Sequence, residues 1–149
     1  MEIRFASPAD VPGILALLQQ AGKAAYQARP DMFRPGAQKY APSQVLALLD
    51  KPETPIFVAL DAGKVRGCCF CRMVTYYRDP VMADGMICYI EELLGEEPAL
   101  YAAVEKYARQ RKCRAVTTQV WNWDPAADFY EKQGFKTQKL TMETILEDS

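Results

Sequence analysis

The sequence contains no histidine. That absence removes His-dependent nucleophilic triads, imidazole metal ligands and a histidine general base together. An excess of one charge is missing too: 18 basic side chains stand against 19 acidic ones, for a net charge of −1. A chain so balanced has no electrostatic case for nucleic acid or an anionic membrane as its main partner. No window approaches the roughly 20 consecutive apolar residues of a bilayer span. The opening MEIRFASPAD carries Glu2 and Asp10 and lacks the apolar core of a secretory signal. Cysteine is present in odd number, at Cys68, Cys69, Cys71, Cys88 and Cys113, with Cys68 and Cys71 at CxxC spacing. An odd count without a leader predicts reduced thiols and a cytoplasmic location. On a strand Cys69 and Cys71 share one face and Cys68 takes the other. With no histidine and no second cysteine pair at metal spacing, small core residues are expected there rather than a zinc or redox centre.

What is present suits a soluble globular domain. Of 149 residues, 50% are hydrophobic and 25% charged. One domain over 1–149 is expected, and folding at this size buries roughly 68–70% of the unfolded surface. MEIRFA alternates and predicts a first strand. Ser7-Pro8-Ala9-Asp10 is a helix start, with Ser7 as cap and Asp10 favouring the positive end of the dipole. Val11, Ile14, Leu15 and Leu18 then carry a helix to about Ala21. Residues 28–41 hold two prolines, Pro30 and Pro35, and Gly36, and predict irregular chain. Pro42-Ser43 opens a second helix. Two β-rich runs flank Asp61-Ala62-Gly63-Lys64, a hairpin signal. MICYIEELL is a further strand, Pro98 to about Lys112 a helix, and Cys113 to Trp121 a strand. Asp124 caps a short helix to Gln133, which Gly134 ends with Phe135 packing back. Lys136 to Leu146 predicts a last extended segment. Clustered strands between helices indicate a mixed sheet.

These elements resemble the GNAT superfamily of N-acetyltransferases over nearly the whole length. The N-terminal strand and helix, the hairpin FVALDAGKVRGCCF, the strand YIEELL and the block DFYEKQGF fall in the family's order, and the last is the most specific. The resemblance implies an α/β fold of α+β type: a mixed, mainly antiparallel central sheet with helices on both faces. It implies acetyl-CoA as cofactor and a small-molecule or peptide amine as acceptor. A tyrosine in the family's last helix is often the general acid, and the matching residue is Tyr130. A phenol of ordinary pKa near about 10 keeps its proton at neutral pH and can donate it. The other reading of Tyr130 is a core aromatic beside Phe129. YIEELL matches the central strand whose bulged end holds the pantetheine arm through main-chain hydrogen bonds, here at Leu93 and Gly95 with Leu94 between them. Glu91 and Glu92 fall where many members keep a base for the substrate amine. Strand alternation sends the two to opposite faces, so at most one meets a given cleft. The competing reading is one solvated carboxylate and one structural ion pair.

Between that strand and the next helix the family carries an arginine- and glycine-rich loop of the form R/Q-x-x-G-x-G/A. Its N–H groups and the helix N-terminus cradle the cofactor's diphosphate. Here the stretch reads Gly95-Glu96-Glu97-Pro98-Ala99-Leu100, as if the loop were deleted. The main chain of Gly95, Ala99 and Leu100 is what remains to meet the cofactor. Glu96 and Glu97 set negative charge at the helix start, and Pro98 removes a donor. Weak or lost cofactor binding is therefore expected. Trp123 stands where members commonly carry an asparagine, and the adjacent Asn122 is the candidate cofactor contact. Residues 26–40 fall at the family's acceptor wall, where Arg29, Arg34 and Lys39 either greet an acidic substrate or are solvated loop charges. Two functions follow: a GNAT-type N-acetyltransferase acting on an unidentified amine, or a catalytically degenerate binding or interaction module. Either leaves room for a homodimer.

Overall fold

Residues 1–146 are described by a computed structural model, in which the apolar runs become five strands. They are β1 (Glu2–Phe5), β2 (Ile56–Asp61), β3 (Lys64–Tyr76), β4 (Gly85–Leu94) and β5 (Ala115–Thr118). The helices are α1 (Val11–Ala28), α2 (Pro42–Leu49), α3 (Glu97–Gln110) and α4 (Ala126–Lys132). Spatial order in the sheet equals chain order, β1 to β5. Neighbours run antiparallel except β4 and β5, which are parallel because α3 crosses over between them. This is the mixed, mainly antiparallel sheet that the resemblance implies. Its contacts divide the chain into two compact units, Met1–Gln119 and Val120–Ser149. Among the described residues no helix is long and apolar enough to cross a membrane.

In the first unit β2 is buried on both faces, so its sequence IFVALD is apolar without alternation until Asp61. One face carries Ile56, Val58 and Leu60 with Cys68 and Phe70 of β3, packed under Val11, Ile14 and Leu18 of α1 and Val45 of α2. The opposite face lies under α3, which buries Leu100, Tyr101, Val104 and Ala108. There Phe57 meets the Tyr107 ring edge-on at 5.7 Å. Helices thus cover both faces. The β2–β3 turn is Ala62-Gly63, with φ of 50° and 77°. Two positive φ values match the twist of the flanking strands in a two-residue hairpin.

Three local expectations are revised. Helix α1 runs on to Ala28 rather than stopping near Ala21, because Gly22 to Ala28 offers no breaker before Pro30. A short 3-10 turn, Pro8–Asp10, precedes it. Asp10 does more than face a dipole: its carboxylate accepts from Arg4 at 2.7 and 3.1 Å and from the Ser7 N–H at 2.8 Å. The Ser7 hydroxyl donates to Asp10 at 3.2 Å instead of capping the helix. Finally, Lys136 to Leu146 forms no strand. Alternation alone makes no ladder, which needs main-chain hydrogen bonds to a neighbouring strand.

In the second unit the end of α4 is as the sequence predicts. The Phe135 N–H reaches Tyr130 O at 3.0 Å and the Gly134 N–H reaches Glu131 O at 3.0 Å. With Gly134 at φ 95° this is a Schellman ending, and the Tyr130 and Phe135 rings meet at 5.0 Å as its hydrophobic contact.

Candidate functional site

Strands β3 and β4 pair in step from Tyr76 opposite Gly85 to Cys71 opposite Ile90, then resume with Phe70 opposite Glu92. Glu91 is the extra residue of a β-bulge, which re-aims the side chains beyond it. The expected separation of Glu91 and Glu92 onto opposite faces is thereby overturned. Lys39 Nζ lies 3.2 Å from Glu91 Oε1 and 3.6 Å from Glu92 Oε1. Phe70 belongs to the core under α1 and α2, so Glu92 opposite it sits on that side of the sheet.

Glu91 is the better enclosed of the pair, its side chain 12% exposed against 26% for Glu92. Its Oε1 also accepts the Tyr40 hydroxyl at 2.7 Å and faces Arg72 Nη2 at 3.5 Å. Every one of these partners is on Oε1; Oε2 has none among the described residues. Tyr40 stacks on Phe70 at 5.4 Å with 14° between the rings. Burial and the hydrogen bond to Glu91 push its phenol up to about 12, so it is a fixed neutral donor. The loop that delivers Lys39 and Tyr40 lies close on α1 at Gly22. A Cβ there would strike the Ala37 carbonyl. Gln38 Nε2 donates to Tyr40 O at 2.8 Å and shapes the same loop. Of the loop's other cations, Arg29 pairs with Asp31 at 2.8 Å and Arg34 is exposed.

Beside the carboxylates the sheet opens. The β4–β5 ladder ends at Ile90 opposite Thr118, whose hydroxyl donates to Ile90 O at 2.9 Å. Glu92, Leu93 and Leu94 keep β3 on one edge and, among the described residues, have no strand on the other. Only Gly95 and Glu96 then separate β4 from α3. Gly95 has φ 69°, and a Cβ on it would collide with the Arg66 carbonyl, so the turn is pressed onto the β2–β3 hairpin. Glu96 takes φ 44°, left-handed for a residue with a side chain. Its carbonyl accepts the Leu100 N–H at 3.1 Å, and Leu100 itself is sealed in the core. The first turn of α3 offers the N–H groups of Glu97 and Ala99 and none from Pro98.

Tyr130 and Asn122 lie in the second unit. Tyr130 is buried at 5%, between Phe129 at 5.4 Å and Phe135 at 5.0 Å. Asn122 is exposed between Trp121 and Trp123, whose rings stack at 6.3 Å. Trp123 buries its indole N–H with no hydrogen-bond partner among the described residues. Cys68, Cys69, Cys71 and Cys88 are buried in the sheet, and Cys113 lies half-buried before β5. Cys69 and Cys71 touch at 3.7 Å between sulfurs, and burial pushes the Cys68 thiol up to about 12 with Glu92 adding to it. Sequence reading missed Tyr40 and Arg72 as partners of Glu91. Tyr40 is 51 residues from Glu91 in the chain, and no local signal joins them.

The sequence matches the Acetyltransferase (GNAT) family over residues 22–135. No curated protein sequence matches it significantly. A mutant of the BH1408 protein from Bacillus halodurans is 25% identical, with a TM-score of 0.92 over 99% of this chain and 100% of that one. A Trypanosoma brucei acetyltransferase is 16% identical, with a TM-score of 0.69 over 97% of this chain and 99% of that one. The aminoglycoside N-acetyltransferase AAC(6')-Iy, solved in complex with CoA, is 13% identical, with a TM-score of 0.68 over 99% and 100%. The last two share the fold.

Proposed function

The chain belongs to the GNAT family of acetyltransferases, and from that premise we propose that it moves an acetyl group from acetyl-CoA to an amine seated at Glu91. Acetyl-CoA, when bound, supplies the acetyl group as a thioester. The observation that carries the reading is the one-sided occupation of Glu91. Three donors hold Oε1, and Oε2 is left uncommitted at the strand edge that β5 does not cover.

In this reading the acceptor binds as the neutral amine, its N–H donating to Oε2, and Oε2 takes the proton that the nitrogen sheds as it attacks the thioester carbonyl. General-base help of this kind contributes about 10²–10⁴-fold. Tyr40, Lys39 and Arg72 position the carboxylate, and Glu92 shares the Lys39 charge. The open main chain of Leu93, Leu94 and Gly95 suits an amide-bearing arm, because unpaired backbone groups accept one more ladder. By the family resemblance, Asn122 of the second unit is a cofactor contact and Tyr130 the proton source for the departing thiolate. The CoA bound by AAC(6')-Iy supports the choice of cofactor.

The diphosphate end fits less well, and we read it as a shortened phosphate loop. Two residues bridge β4 and α3, Glu96 and Glu97 carry negative charge there, and Pro98 gives no N–H. This favours a second reading, in which the scaffold survives as a catalytically degenerate binding module. Thermal unfolding with added acetyl-CoA separates the two. A ligand at a hundred times its Kd stabilises by about 2.7 kcal/mol. At this chain length that raises Tm by roughly 5–10 °C. The enzyme reading expects that shift. Glu91→Gln should keep it while acetyl transfer to a primary amine falls by about 10²–10⁴-fold. No shift at millimolar acetyl-CoA overturns the enzyme reading in favour of the module.

A further inference from the structure

Beside Glu91 stands a cation that its ion pair does not use up. Arg72 of β3 brings Nη2 to 3.5 Å from Glu91 Oε1. A charge-assisted hydrogen bond closes to about 2.7–2.9 Å, so this is an approach and not a formed fork. The Arg72 side chain is 51% exposed, against 12% for Glu91. Its guanidinium therefore keeps a planar edge of N–H donors for a group outside the chain. Lys39, by contrast, divides its charge between Glu91 and Glu92.

The sheet fixes which way Arg72 faces. Phe70 and Arg72 are two apart on β3, so both lie on the face under α1 and α2, where Glu92 stands opposite Phe70. Tyr89 of β4 is directly across from Arg72, and Thr117 of β5 is across from Tyr89. The two carboxylate oxygens of Glu91 hang from one carbon, so a guanidinium beside Oε1 is a neighbour of whatever Oε2 holds. We propose that the acceptor is an α-amino acid, its amine at Glu91 Oε2 and its carboxylate on the Arg72 guanidinium. This rests on the acetyl transfer proposed above. One carbon separates amine from carboxylate in such a molecule, which suits two partners that are themselves adjacent. A guanidinium takes a carboxylate through two parallel N–H bonds, a match in shape as well as charge. Two glutamates alone would invite a polyamine. Its second ammonium would lie against Arg72 and Lys39, and like charges in a partly enclosed site repel. The amino acid gives one proton to solvent as it binds. Its nitrogen then bonds to the acetyl carbon as the carbon–sulfur bond breaks. A second proton passes from nitrogen to Oε2, the leaving thiolate takes up one proton, and an N-acetyl amino acid and CoA result.

The test compares the common α-amino acids with their α-amides, in which the carboxylate is replaced by a neutral group of the same shape. Acetyl transfer by the native chain should favour at least one amino acid over its amide and over spermidine. Arg72→Ala should lower kcat/KM for that amino acid about 10–100-fold more than for its amide. The ratio of the two substrates is the decisive readout. If Arg72 served only to hold Glu91, both substrates would fall together, and the difference in amine basicity between them is the same for both proteins. Calorimetry without cofactor gives a second measure: the amino acid should bind the native chain more tightly than its amide, and Arg72→Ala should remove the difference. Acetylation of spermidine or of amides in preference to amino acids overturns this inference and leaves acetyl transfer standing. An unchanged ratio in Arg72→Ala does the same. If no amine is acetylated, acetyl transfer itself fails, and equal binding of amino acid and amide then removes the amino acid site as well.

Discussion

Glu96→Gly should both stabilise the fold and tighten acetyl-CoA binding, and the two effects have separate origins. Glu96 sits at φ 44° between β4 and α3. A left-handed conformation costs a residue with a Cβ about 1–2 kcal/mol. Glycine removes that cost and returns about 0.5–1 kcal/mol through the greater freedom of the unfolded chain. A net gain of about 0.5–1 kcal/mol raises Tm by roughly 1–4 °C at this length. The charge acts on the ligand. A carboxylate about 5 Å from a diphosphate charge is repelled by about 0.8 kcal/mol in water and about 3 kcal/mol at a surface site. Glu96 is exposed, so salt screening holds the effect toward the lower figure. The Kd for acetyl-CoA should fall about tenfold, a difference of roughly 1.4 kcal/mol. Isothermal titration reads it, with acetyl-pantetheine as a ligand that lacks the diphosphate. A folded variant with unchanged Kd would refute the account, as would an equal gain for acetyl-pantetheine.

Asp10→Asn removes the charge that Arg4 and Ser7 hold at the start of α1. Hydrogen bonds to a charged group are each worth about 1.5–3 kcal/mol, and Arg4 is partly solvated, so an overall loss near the lower figure is expected in urea melts. The pH dependence has a definite sign. The hydrogen bond from Arg4 holds the Asp10 carboxyl below its ordinary 3.8. Its contribution is complete above 3.8 and disappears as pH falls through the depressed value. The native chain should lose this stability in acid and Asp10→Asn should not; parallel acid profiles would exclude it. Thiol labelling should be slow for Cys68, Cys69, Cys71 and Cys88, all buried. Burial raises Cys68, and the contact with Cys69 followed by burial raises Cys71. Reaction of these four at the rate of free cysteine in the folded chain would contradict the packing.

The elements readable from the sequence were those whose cause is local. Ala62-Gly63 between two β-rich runs makes a hairpin by its own backbone preferences. Gly134 and Phe135 end α4 with hydrogen bonds to Tyr130 and Glu131, all within five residues. The order of strands and helices follows from apolar period and turn chemistry, and the family from the resemblance that blocks such as DFYEKQGF carry. The stretch Gly95 to Pro98 displays its charges and its proline in one dimension as plainly as in three.

The carboxylate site is of another kind. Alternation along YIEELL parts Glu91 from Glu92, and nothing in those six letters announces a bulge. The bulge exists because β3 and β4 drop one residue out of step between Cys71 and Phe70. Tyr40 could meet Glu91 only after a loop settled on Gly22 and a ring on Phe70. In the same way KTQKLTMETIL has the letters of a strand, but a strand needs a neighbour. The amino-acid sequence by itself determined the hairpin at Ala62-Gly63, the ending of α4 and most of the helices and strands, because those depend on residues a few positions apart. Only the tertiary structure decided which oxygen of Glu91 is taken and which is open, because register and loop placement come from packing between residues far apart in the chain.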